Sequence, residues 1–71
     1  MSVLRRIQEN RMPRVGEVIK LYQNERIMAH GYVVSVDRKT ISVAGKGIVD
    51  LDTDEVRRGL HDGSIWIERS R

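Results

Sequence analysis

Two short stretches hold side chains of the types that do chemistry. Asp50-Leu51-Asp52-Thr53-Asp54 starts like a calcium-binding loop, in which carboxylates at alternate positions surround a hard cation. That loop needs glycine at its sixth position and glutamate at its twelfth. This chain has Glu55 and His61 there. The acids therefore suit a different task, ending a strand and capping the helix after it, where negative charge meets the positive end of the helix dipole. His61-Asp62 beside Ser64 holds the residue types of a hydrolytic triad. A triad also needs a nucleophile on a rigid turn, a base oriented by a third group and an oxyanion site. Neighbours in one loop supply none of these. His61 reads as a helix-terminal residue and His30 as a strand histidine. Two histidines without cysteine make a poor transition-metal set, and disulfides and thiolate zinc sites are excluded. The sequence thus predicts a non-enzymatic protein with no metal site and no small-molecule cofactor.

The remaining chemistry is electrostatic. Thirteen basic residues against ten acidic give a net charge of +3 and a pI near 9.8, a mild bias toward polyanions. The distribution matters more than the sum. Arg5, Arg6, Arg11 and Arg14 face only Glu9 in the first fourteen residues. Acids gather at Asp50, Asp52, Asp54 and Glu55, and Arg57, Arg58, Arg69 and Arg71 follow. Faces of opposite sign are expected. Arg38, Lys39 and Lys46 fall at hairpin corners, where a small barrel meets a phosphate chain and affinity falls with salt. Single-strand binding also wants aromatic platforms, worth about 1–3 kcal/mol per stacked base, and the chain has only Tyr22, Tyr32 and Trp66. The candidate nucleic-acid contacts are Arg5, Arg6, Arg11, Arg38 and Lys39 for phosphates and Tyr32 for a base. Arginines on the outer side of an amphipathic helix are also compatible with plain solvation.

The elements that position these residues follow from periodicity. Ser2 is a helix N-cap type, and Val3, Leu4 and Ile7 form one apolar stripe. Pro13 keeps Met12 out of the helical region, so this N-terminal helix, within residues 1–12, ends near Asn10 or Arg11. It is too short to stand alone and must dock. From Val15 the period becomes two. Strands are expected over 17–23, 27–36, 40–44 and 48–51, separated by turns at Asn24-Glu25-Arg26, Asp37-Arg38-Lys39 and Gly45-Lys46-Gly47. Gly31 inside the long second strand marks a bend or bulge. Asp52 with Glu55 three residues on reads as a capping box, and Gly63 as a helix stop. Gly59 costs about 1 kcal/mol of helix stability relative to alanine, so a helix of one or two turns is expected, in part 3₁₀. The last strand is Ser64–Glu68. There Trp66 alternates with Ile65 and Ile67, leaving open which side is core and which is an interface.

Gly31-Tyr32-Val33-Val34-Ser35-Val36-Asp37, followed by Ile41 and Val43, resembles the first motif of Sm-like proteins, a glycine, spaced apolar residues and an aspartate before an apolar strand. The short N-terminal helix with Arg5 and Arg6, and Ile19-Lys20-Leu21-Tyr22 before the motif, are similar to Hfq-like members. The resemblance spans about residues 2–45, and no second Sm motif precedes the last strand. It implies an SH3-like barrel, ring-type assembly and RNA as ligand. The order of elements agrees with a mainly β, five-stranded antiparallel SH3-like barrel with an N-terminal helix and a short helical turn before the last strand, forming a single domain with its barrel over residues 15–68. A chain of 71 residues buries only about 60% of its unfolded surface, so a homo-oligomer is expected. No apolar run is long enough to span a bilayer, and a cytoplasmic setting is expected. The function expected is nucleic-acid binding through a basic rim, RNA ahead of DNA. The alternative is a protein-interaction or assembly module without nucleic-acid contact, of a kind also found among phage and mobile-element products.

Overall fold

A computed structural model describes residues 11–70. Strands β1 (Val18–Gln23), β2 (Arg26–Val36), β3 (Thr40–Ala44) and β4 (Ile48–Asp52) are followed by helix α1 (Thr53–Asp62) and strand β5 (Ile65–Ser70). They make one antiparallel sheet in the order β4-β3-β2-β1-β5. The protein is mainly β with one helix among the described residues. The N-terminal helix expected to carry Arg5 and Arg6 lies outside the described residues, and Arg11 and Met12, the last two positions allotted to it, are not helical.

Each hairpin follows from its turn residues. Asn24 and Glu25 both take positive φ, at 52° and 70°, as a two-residue turn matched to strand twist requires. The turn is thus one residue shorter than the sequence suggests, and Arg26 already pairs with Gln23. At the next corner the Asp37 carboxylate accepts from the backbone N–H groups of Lys39 and Thr40, both at 2.8 Å, a side-chain substitute for a backbone turn.

β2 is the longest strand, and it serves two partners. Its first half pairs with β1 and its second with β3, with Tyr32 opposite Val18 on one side and Ala44 on the other. The pairing extends past β1, since Val33 donates to the Glu17 carbonyl and accepts from the Gly16 N–H, at 2.8 and 2.9 Å. Gly31 sits at the crossover with φ of 154°. A β-carbon there would overlap the Ala44 carbonyl, and one at Gly45 would overlap the His30 carbonyl. Two strand backbones approach here more closely than any side chain allows. Register shifts at Leu21/Tyr22 and Val33/Ser35 bracket the crossover and add twist.

One face of the sheet is covered. Ile19, Leu21, Ala29, Val33, Ile41, Val43, Ile65 and Ile67 meet Val56 and Leu60 of α1, with Met12, Val36 and Leu51 at the margin. α1 is longer than expected and is α-helical throughout. Asp52 caps it by accepting from the Glu55 N–H at 3.0 Å, and Gly63 ends it in the left-handed conformation, donating to the Gly59 carbonyl. A β-carbon at Gly59 would overlap the Ile65 side chain. The helix glycine therefore allows α1 to sit on β5, and that contact outweighs its propensity cost.

A closed ring of strands is not seen. β4 and β5 lie at opposite ends of the strand order, with no ladder joining them. α1 connects the two edge strands and touches both, so a helix, not a β4–β5 pairing, covers the core on that side.

Two glycine substitutions test the crossover. Gly31→Ala is expected to lower stability by at least about 2 kcal/mol in chemical denaturation. Gly47→Ala, whose new methyl group meets nothing within 4 Å, should stay within about 0.5 kcal/mol of wild type.

Candidate binding surfaces

The acids singled out by the sequence are absorbed by local structure. Asp50 accepts from the Ser42 hydroxyl across β3 and β4 at 2.7 Å, Asp52 caps α1, and Asp54 pairs with Arg57 at 3.1 Å. No group of three or more His, Cys, Asp or Glu side chains that could hold a metal occurs among the described residues. In the second stretch the Asp62 carboxylate accepts from the Ser64 backbone N–H at 2.8 Å, a bond that lowers its pKa. Asp62 thus fixes the turn after α1. No helix among the described residues is long and apolar enough to cross a membrane.

Of the basic candidates, those among the described residues lie near α1. Arg38 and Lys39 sit in the β2–β3 turn, which abuts the start of α1. The buried Thr53 donates its N–H to the Lys39 carbonyl at 3.0 Å and its hydroxyl to the Asp37 carbonyl at 2.9 Å. Arg57, Arg58 and His61 are exposed along α1. Arg57 and His61, with Leu60 and Met12, line one shallow trough, and with Asp54 and Arg58 they line a second. Arg11 is exposed just before Met12. Arg38, Lys39 and Arg11 therefore lie around α1, toward its two ends. Arg5 and Arg6 lie outside the described residues.

Tyr32 is not part of this arrangement. It is 48% exposed on the opposite face of the sheet, in a row with Val18, Ala44 and Ile48. From Tyr32 to the end of β2 is four residues, about 13 Å of strand, so the β2–β3 turn is remote from its ring.

That outer face holds a feature left open by the sequence. Ile65 and Ile67 are core, so Trp66 points outward and is 41% exposed. It stacks on Tyr22, its partner across β1 and β5, with ring centroids 4.1 Å apart and planes 7° apart. The Tyr22 hydroxyl donates to Glu68 at 3.1 Å. Ile27, 54% exposed, follows Tyr22 in the same cross-strand row. Between this row and that of Tyr32 lie Glu68, Lys20 and His30. The outer face is thus apolar with nearly balanced charge.

A third arrangement fixes where the chain enters the fold. The Arg69 guanidinium donates to Glu17 Oε2 at 3.1 Å and to the carbonyls of Arg11 and Met12 at 2.7 and 3.1 Å. Glu17 Oε1 accepts from the Arg14 N–H at 2.8 Å. Burial raises the pKa of Glu17, but the Arg14 N–H and the Arg69 guanidinium more than offset this and hold it below its ordinary 4.5. Residues 17 and 69 lie 52 positions apart, and nothing in the local sequence joins them.

Comparison with known proteins gives no matching family model, no matching curated protein and no matching solved structure.

Two measurements follow. A carboxylate with a depressed folded pKa contributes stability that is present above its unfolded pKa and lost as pH falls through the folded one. Glu17, Asp37 and Asp62 are all shifted down, from 4.5 for Glu17 and 3.8 for the aspartates. Thermal stability should therefore hold from neutral pH to the mid-fours and fall below that. Glu17→Gln should lower stability at pH 7 and make the acid fall shallower, and an unchanged acid fall would contradict the assignment. Separately, a double-mutant cycle of Tyr22→Ala and Trp66→Ala should give a coupling of about 0.5–1.5 kcal/mol.

Proposed function

We propose that this protein is a non-enzymatic nucleic-acid-binding module, acting on RNA in preference to DNA, with the surface around α1 as its contact face. One observation carries the reading. Arg38 and Lys39 at one end of α1, Arg57, Arg58 and His61 along it and Arg11 toward the other end form an exposed series of basic groups on a rigid element. Such a series meets successive phosphates by charge and positions the ligand without reading its sequence. Asp37, Asp52, Asp54, Glu55 and Asp62 are exposed beside these groups and offset their charge, but an exposed pair such as Asp54–Arg57 is worth only about 0–1 kcal/mol, so a phosphate competes for Arg57 on nearly equal terms. Tyr32 supplies a stacking ring only to a strand that wraps past the sheet edge.

The same reading treats the fold as an opened relative of the SH3-like, Sm-like barrel. The bent β2 with Gly31 at the bend, the Asp37 turn and the β4-β3-β2-β1-β5 order support it. In place of ladder closure this chain has α1. A cytoplasmic setting fits a chain without cysteine.

A second reading has its own observation. The outer sheet face exposes Trp66, Ile27, Val18, Tyr32 and Ile48, the last at 64%, with Tyr22 half-buried among them, next to two strand edges, of β4 and β5, that pair with no further strand among the described residues. Apolar surface of this kind marks protein contacts, and supports assembly into a homo-oligomer or docking on another protein. The two readings use opposite sides of the molecule and are compatible.

Titration of a fluorescently labelled single-stranded RNA and of a DNA duplex at several salt concentrations tests the first. Binding is expected to weaken with salt, and Arg57→Ala/Arg58→Ala should lower the log–log salt slope by about 0.7 for each lost contact with a single strand. Absence of binding at low salt, together with a concentration-dependent oligomer in light scattering, would leave the assembly reading alone.

A further inference from the structure

We propose that the open edge of β4 takes up an extended, basic segment of another protein as an added strand of the sheet. The inference goes beyond both readings of function and stands if either fails.

The hydrogen-bond pattern shows that the edge is open. Gly45 donates to the Gly47 carbonyl and Thr53 to the Lys39 carbonyl, at 2.8 and 3.0 Å. These bonds lie at the two ends of the β3–β4 ladder and share one parity. Alternate residues of an antiparallel strand bond to the same neighbour, so Val49 and Leu51 turn their backbone groups to Val43 and Ile41. Ile48 and Asp50 turn theirs outward, where they have no partner among the described residues. Both residues are exposed. The opposite end of the sheet is closed by the same test. Asn24 donates to the Ser64 carbonyl at 3.1 Å, so Ile65 and Ile67 turn their backbone groups away from β1. They are only 3% and 0% exposed, and an incoming strand cannot reach them.

Side chains of β4 are uncovered on both faces of the sheet. Ile48 is 64% exposed on the outer face, and Val49 is 39% exposed on the face that carries α1. An edge strand with free backbone groups and apolar side chains on either face is a template for a further strand.

Charge selects the occupant. Asp50 and Asp52 follow Ile48 on the outer face, and Asp54 and Glu55 come next in the first turn of α1. Lys46 and Lys39 lie in the turns beyond the two ends of the ladder. Opposite charges across a ladder stabilise it, and like charges destabilise it. The β4 of a second copy, laid antiparallel along its full length, would set Asp50 against Asp50, and the β5 of a second copy is enclosed. A foreign strand with Lys or Arg at alternate positions meets Asp50 and Asp52 on one face, and its intervening apolar residues cover Val49 and Leu51 on the other. The Ser42 hydroxyl holds Asp50 at 2.7 Å, and Asp52 is fixed as the cap of α1, so both carboxylates are in place before binding. They set the sign of the partner, while the free backbone groups and the apolar margin make the site.

The test is an NMR titration of the whole, isotopically labelled chain with an acetylated, amidated octapeptide of alternating lysine and valine, at low and moderate salt. Shifts are expected to centre on the amides of Ile48 and Asp50, whose hydrogen exchange should slow about tenfold at saturation. Methylating the backbone nitrogens of alternate peptide residues should abolish binding in one phase and spare it in the other, since only every second amide faces β4. Asp50→Asn/Asp52→Asn keeps the acceptor for Ser42 and the helix cap, and should weaken binding about three- to tenfold at low salt. An octapeptide of alternating glutamate and valine should not bind. Shifts centred on α1 or Trp66, equal binding by both methylated peptides, no binding at low salt, or protection of the Ile48 and Asp50 amides by self-association of the free chain would each overturn the proposal.

Discussion

The structure depends on one strand being shared by two ladders. β2 gives its first half to β1 and its second to β3, and at Tyr32 it pairs with both strands. For that the backbone near residues 30–31 must come against the end of β3 more closely than a β-carbon permits. Glycine at 31 in β2 and at 45, just after β3, satisfies this. Everything else is arranged around the resulting bend. The inward residues of both halves, Ala29 and Val33, then face a common interior with Ile19, Leu21, Ile41 and Val43. Without the bend these would form two half-buried sheets too small to be stable alone.

The bend also divides the surface. One side of the curved sheet receives α1, whose buried residues are Thr53, Val56, Gly59 and Leu60. That places the exposed residues of α1 and the β2–β3 turn on one side of the molecule. The other side keeps the alternate residues of every strand, and with them the Tyr22–Trp66 stack. Charge gathers on the first side and apolar area on the second. A protein this small has few ways to separate two kinds of contact, and a one-sided sheet under a helix is one of them. The Glu17–Arg69 pair belongs to neither surface. It ties the chain before β1 to β5, so the approach to α1 is held by hydrogen bonds between segments distant in sequence.

Much of this was legible in the sequence because it is local. Asp37 at a corner, Gly45-Lys46-Gly47 between two apolar runs and Asp52 three residues before Glu55 announce their turns and cap by residue type alone. Gly31 announced a bend for the same reason. What was not legible depended on tertiary contacts. Ile65-Trp66-Ile67 offers apolar groups to both sides, and only the arrival of α1 on Ile65 decides which side is core. Gly59 read as a weakness of the helix, although its missing side chain is what lets the helix pack. Local propensity thus predicted too short an α1, and a closed ring where α1 lies instead. The basic residues were identified individually, but not that Arg11, Arg38 and Lys39 lie around α1 while Tyr32 lies behind the sheet. That separation follows from the parity of β2, which puts Tyr32 on the face opposite to its buried neighbour Val33.

Native-state hydrogen exchange under mild denaturant tests the shared strand most directly. If β2 couples both ladders into one cooperative unit, the amides of Leu21 in β1, Val33 in β2 and Val43 in β3 exchange with the same opening free energy, equal to that of global unfolding. If Val43 exchanges through a separate, lower-energy opening while Leu21 stays protected, the β3–β4 hairpin is an independent unit and the account is wrong.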